Sequence, residues 1–233
     1  METGPVPRTL PDWDGIFGIL ESWRAALQER EGGSADPSVT ELALERRRDP
    51  WSVLVSTILS LRTKDAVTLA ASRALLAQAG DPGSLLELTE ERVAELAYPA
   101  GFYRTKARSL RAIAAILLEK WGGEVPADLE SLLALPGVGL KTANLVLSEA
   151  FGLDAICVDI HVHRICNRAG WIAESTPDGS EAALRAALPR PYWKKINALL
   201  VLFGQKVCTP ASPRCSSCPL AGHCARVGVT RSR

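Results

Sequence analysis

Four of the six cysteines of this chain crowd into seventeen residues. Cys208, Cys215, Cys218 and Cys224 follow the spacing C-x6-C-x2-C-x5-C. Thiolates are soft ligands that suit zinc or an iron–sulfur cluster. Pro210, Pro213, Pro219 and Gly222 lie among them and favour tight loops over helix. The spacing fits one four-thiolate centre of either kind; a pair of disulfides is the competing use of the same residues. Cys157 and Cys166 stand in apolar stretches and read as buried free thiols. His223, beside Cys224, reads as a surface residue rather than a ligand.

A second group of residues is organised by turn chemistry. Leu135-Pro136-Gly137-Val138-Gly139 separates two helical patterns. Proline stops the first helix, and the glycines permit positive φ and close backbone approach. The turn amides and the start of the next helix then form a site for a phosphate; a plain helix–helix turn is the simpler reading of the same residues. Lys141 falls in the first turn of that next helix, where an amine is a candidate nucleophile. Asp159 precedes a third helix and suits its N-cap. A capping carboxylate keeps one oxygen free, so capping and proton transfer are compatible.

The elements that must position these groups read as helices throughout. Helical spacing runs over 15–30, 51–61, 65–79, 104–121, 128–135, 141–150, 159–169 and 191–205, with a further short helix starting at Thr89. Residues 1–14 and Glu31–Ser38 carry turn chemistry. Ala155–Val158 reads as extended and is too short to found a sheet. The fold class is all-α. With 47% apolar and 23% charged residues in 233, the chain buries a core, which excludes wholesale disorder. No apolar run approaches the ~18 residues of a membrane span, and the first residues resemble no targeting signal. A soluble, cytoplasmic protein is the expectation.

The net charge is only +1, but its distribution is uneven. After Glu181 come nine basic residues and no acid: Arg185, Arg190, Lys194, Lys195, Lys206, Arg214, Arg226, Arg231 and Arg233. Such a stretch suits a polyanion, nucleic acid above all, or serves as a solvated surface.

Taken together, LPGVGLKTAN at Leu135–Asn144, VDIHVHR at Val158–Arg164 and the four-cysteine loop resemble the endonuclease III family, the helix-hairpin-helix DNA glycosylases that carry a C-terminal [4Fe–4S] cluster. The resemblance covers roughly residues 40–226. It implies a six-helix domain over 43–153 containing the hairpin, and a cluster domain built from 1–42 and 154–233, with the active site in the cleft between them. It implies that Lys141 is the Schiff-base lysine, Asp159 the catalytic aspartate, Gly137, Val138 and Gly139 the phosphate-binding hairpin, and Cys208, Cys215, Cys218 and Cys224 the ligands of a [4Fe–4S] cofactor. The activity implied is that of a bifunctional glycosylase and abasic-site lyase, a monomer acting on double-stranded DNA with oxidised pyrimidines or abasic sites. A monofunctional adenine-mismatch glycosylase and a non-catalytic DNA-binding module are the rival readings; Lys141 weighs against both. One departure stands out. Arg62 occupies a position where the family commonly has glutamine reaching into the DNA. Phe102 of Gly101-Phe102-Tyr103 matches a loop that wedges between bases, or is an ordinary core aromatic. Arg214, between Cys208 and Cys215, is expected on phosphates, with Lys206 close by.

Overall fold

The computed structural model describes residues 11–32 and 36–233. Most of the turn-rich start expected at 1–14, and part of the break expected at Glu31–Ser38, lie outside the described residues. Among those described, every regular element is helical. The elements are α1 (Trp13–Glu31), α2 (Ser38–Glu45), α3 (Pro50–Ser60), α4 (Asp65–Gln78), α5 (Pro82–Glu87), α6 (Glu90–Ala97), α7 (Tyr103–Trp121), α8 (Leu129–Leu133), α9 (Leu140–Glu149), α10 (Ile160–Ala169), α11 (Pro177–Ala187) and α12 (Ile196–Lys206). Short 3-10 turns at Arg190–Tyr192, Cys215–Ser217 and Ala221–His223 complete the set.

Local chemistry fixes most of the helix starts. The side chains of Asp49, Asp81, Thr89, Asp128, Asp159 and Thr176 each accept an amide of the following turn. Such a cap is worth about 1 kcal/mol. Gly122 and Gly170 end α7 and α10 in the left-handed conformation that glycine tolerates best.

Three helices depart from expectation. α2, α5 and α11 each begin at or directly after a proline among turn residues, which masks the helical spacing that follows. The helix expected over 191–205 is two elements: Pro191 sits in a 3-10 turn, and α12 opens at Ile196. Residues 155–158 belong to no helix or strand.

The chain divides into two compact units, Asp36–Cys157 and the residues before Asp36 together with Val158–Arg233. The inner unit holds one continuous core with α3 at its centre, buried from Trp51 to Leu59. Each large aliphatic side chain there contributes about 1.5–3 kcal/mol relative to an exposed one. α9 is buried from Thr142 to Glu149, which sets the direction of its first turn. Its far end is fastened by Glu149. Thr40 Oγ1 donates to Glu149 Oε1 at 3.1 Å, and Arg48 Nη1 donates to the Glu149 carbonyl at 2.7 Å. In the split unit α1 packs on α12, where Trp23 meets Phe203 edge-on at 5.1 Å, and on the preceding 3-10 turn, where Phe17 stacks on Tyr192 at 4.0 Å.

Candidate functional site

The hairpin lies in the inner unit. Leu132 and Leu135 carbonyls accept the Leu135 and Val138 amides, and Gly137 turns the chain at φ +79°. Gly139 has an ordinary φ of −99° and open space around a would-be Cβ. Neither conformation nor packing requires glycine at 139; glycine leaves the backbone bare to whatever approaches. α9 then begins without a side-chain cap. Its first amides are left to an outside acceptor, as an anion-binding helix end requires. Lys141 is half-buried in that first turn, and its carbonyl accepts the Cys157 thiol at 3.6 Å. Among the described residues the Lys141 ammonium makes no hydrogen bond or ion pair. Asn144 Nδ2 donates to the Ile156 carbonyl at 3.0 Å and ties α9 to the segment that leads toward Asp159.

Asp159 belongs to the split unit and caps α10. Its Oδ1 accepts both the His161 amide at 2.8 Å and the Val162 amide at 2.9 Å. Oδ2 carries no hydrogen bond among the described residues, so one oxygen holds the helix and the other is open to a proton.

The cysteine loop is stitched to the end of α10. Cys224 Sγ donates to the Arg168 carbonyl at 3.8 Å, the Ala225 amide to Ala169 at 3.0 Å and the Trp171 indole to the His223 carbonyl at 3.0 Å. None of the six cysteines forms a disulfide. Cys208, Cys215, Cys218 and Cys224 line a single cavity, whose remaining wall includes Ile165, Trp171, Phe203 and Leu220. Burial pushes the Cys218 and Cys224 thiols up, and the neighbouring loop thiols add to it. Four thiols around one cavity are a donor set that suits either zinc or an iron–sulfur cluster. Among the described residues no three His, Cys, Asp or Glu side chains close on a single point as a ready cation site; the thiols are spread around the cavity wall. His223 is not part of that wall. Cys157 and Cys166 are buried, and burial drives the Cys166 thiol strongly upward.

Two arginines that the motifs did not single out hold this loop. Arg164 Nη2 donates to the Cys208 carbonyl at 2.9 Å and the Gly204 carbonyl at 3.3 Å; burial lowers its guanidinium. Arg168 donates to the Thr209 carbonyl at 2.7 Å, to Cys208 Sγ at 3.6 Å and to the Pro210 carbonyl. Their four-residue separation on α10 is the signal that places both on one face. Arg214 is exposed, with its amide on the Val207 carbonyl at 3.0 Å. Part of the basic stretch is neutralised within the unit. Lys206 pairs with Glu31 at 2.9 Å, Lys195 with Glu21 at 2.7 Å, and Arg185 with Glu181.

A further group gathers at one edge of the inner unit. Phe102 is 62% exposed, which removes the core-aromatic reading. Arg62 is exposed too, and its guanidinium lies 5.5 Å from the Phe102 ring centroid. Both residues have left-handed backbones, φ +53° and +57°, a cost of about 1–2 kcal/mol each for a non-glycine residue. The turns touch: a Cβ at Gly101 would meet the Arg62 carbonyl oxygen at 2.5 Å. Lys106, which no motif flagged, is buried beneath them, and burial lowers its ammonium to about 8.

Residues 55–190 match the family model of the HhH-GPD superfamily base excision DNA repair proteins. Endonuclease III of Thermotoga maritima is 46% identical over 179 residues, spanning 77% of this chain and 84% of that protein. Endonuclease III of Treponema pallidum is 34% identical over 220 residues, 94% of this chain and 99% of that one. A solved endonuclease III–DNA covalent intermediate, the estranged-adenine complex, superposes with a TM-score of 0.73 at 35% identity, covering 76% of this chain and 84% of that one.

Proposed function

From the chain's membership of the endonuclease III family, within the HhH-GPD superfamily of base excision DNA repair glycosylases, we propose that it removes oxidised pyrimidines from double-stranded DNA and cleaves the resulting abasic site. The carrying observation is Lys141, at the start of an uncapped helix directly after the glycine turn. On this reading the damaged nucleotide leaves the base stack, because chemistry on a stacked base is blocked. The Lys141 amine attacks the sugar C1′, and the base departs with the bonding electrons. Asp159 takes the lysine proton and offsets positive charge at the sugar. The C1′–O4′ bond then breaks, O4′ taking a proton, to leave a protonated imine; this acidifies the C2′ hydrogen, and once a base removes it, β-elimination expels the 3′ phosphate and breaks the strand on that side.

Gly137, Val138 and Gly139 present amides to a phosphate, and Arg214 adds a phosphate contact from the cysteine loop. Cys208, Cys215, Cys218 and Cys224 would hold the [4Fe–4S] cluster, which clamps that loop and supplies no step of base release. The purified protein is then expected to be brown, with a broad absorption near ~400 nm and about four irons per chain. Stoichiometric zinc without iron in undegraded protein would overturn that assignment.

Duplexes carrying a single oxidised pyrimidine or abasic site, scored separately for base release and strand cleavage, test the reading. Base release without cleavage would reduce it to a monofunctional glycosylase. The same panel addresses Arg62. A guanidinium beside an opened stack donates best to guanine O6 and N7. Wild type is therefore expected to favour lesions opposite guanine modestly, and Arg62→Gln to flatten that preference. An equal loss opposite all four bases would instead place Arg62 on a phosphate.

A further inference from the structure

The turns bearing Arg62 and Phe102 are far apart in sequence and share one fastener. Lys106 Nζ donates to the Leu59 carbonyl at 2.7 Å, the Leu61 carbonyl at 2.6 Å and Thr63 Oγ1 at 2.8 Å. All three ammonium hydrogens are thereby used. Leu59 and Leu61 lie at the C-terminal end of α3, where carbonyls lack helical partners and a cation is favoured. The same Thr63 hydroxyl oxygen accepts the Gly101 amide at 3.1 Å, one residue before Phe102. Lys106 itself stands one turn into α7, its amide on the Phe102 carbonyl at 3.0 Å. Arg62 and Phe102 are thus bracketed on both sides by one ammonium and one hydroxyl. Every acceptor of Lys106 is neutral, so no ion pair explains a charge beneath the surface.

We infer that Lys106, acting through Thr63, is a positioning residue that locks the Arg62 and Phe102 turns in a single register, so that the two side chains enter the duplex as one rigid wedge. This rests on the repair reading for what the wedge enters, and on the geometry alone for the lock. A locked wedge matters only where a base stack must be opened. Single-stranded abasic DNA offers none.

The test uses 2-aminopurine placed opposite a tetrahydrofuran abasic analogue, whose fluorescence reports unstacking without chemistry. Wild type is expected to raise the signal on binding. Lys106→Met and Thr63→Val should cut that rise several-fold at saturating protein, and Thr63→Ser should restore it by returning the hydroxyl. Cleavage of abasic duplex should fall in Lys106→Met while cleavage of abasic single strands holds. Equal loss on both substrates, or a Thr63→Val variant that unstacks like wild type, overturns the inference. If Lys106→Met does not fold, the Val and Ser pair at Thr63 decides alone. A wild type that unstacks the probe and cleaves neither substrate sinks the lyase reading and leaves the lock standing.

Discussion

Lys141→Gln is expected to abolish covalent trapping by borohydride on abasic DNA and to take strand cleavage below detection. Glutamine keeps most of the length and polarity of lysine and has no nucleophilic nitrogen, so no imine forms for the reductant to capture. The surroundings are indifferent to the change. α9 is buried from Thr142 onward, and the Lys141 ammonium makes no hydrogen bond or ion pair among the described residues whose loss would unfold the helix. Affinity for abasic duplex should therefore stay within a few-fold of wild type. Undiminished trapping in the variant would move the Schiff base to one of the other six lysines.

Asp159→Asn separates a cap from a catalyst. Asparagine caps helices about as well as aspartate, and its side-chain oxygen can accept the His161 and Val162 amides that Oδ1 accepts now. The melting temperature should barely move. What the substitution removes is the charge and the proton affinity of Oδ2, so turnover is expected to fall roughly 10²–10⁴-fold, the usual range for a lost general acid or base. A fully active, fully stable Asn variant would leave Asp159 a structural residue.

The legible parts of this molecule are the local ones. α3, α7 and α10 announce themselves by apolar spacing together with Asp49-Pro50, Gly122 and the Asp159–Gly170 bracket. Lys141 and Asp159 are legible as candidates for the same reason: each sits at a helix start that its immediate neighbours define. α5, with six residues, is shorter than two turns and opens on Asp81-Pro82-Gly83, which reads as a turn. α11 opens on Thr176-Pro177-Asp178-Gly179 and is hidden the same way. α2 follows Pro37 with no capping side chain. Lys106 was out of reach for a different reason. Its three acceptors lie 43 to 47 positions away, and a lysine on an amphipathic helix ordinarily reads as solvent-facing. The ion pairing of the basic stretch after Glu181 is equally out of reach of local reading, because the partners of Lys195 and Lys206 are Glu21 and Glu31, about 175 positions earlier.

The split unit has a consequence for how the protein is made. α1 leaves the ribosome early, with the apolar side chains of Ile16, Phe17, Leu20 and Leu27 needing cover. The helix it packs on, α12, emerges only after the entire Asp36–Cys157 unit has been synthesised. At ordinary translation speeds that interval is roughly 8–33 s. The inner unit can close on its own core during the wait, while α1 stays unpartnered and within reach of chaperones. The four thiols of the loop emerge later still, after α12. Any metal centre those thiols hold can therefore be completed only once the whole inner unit has been made.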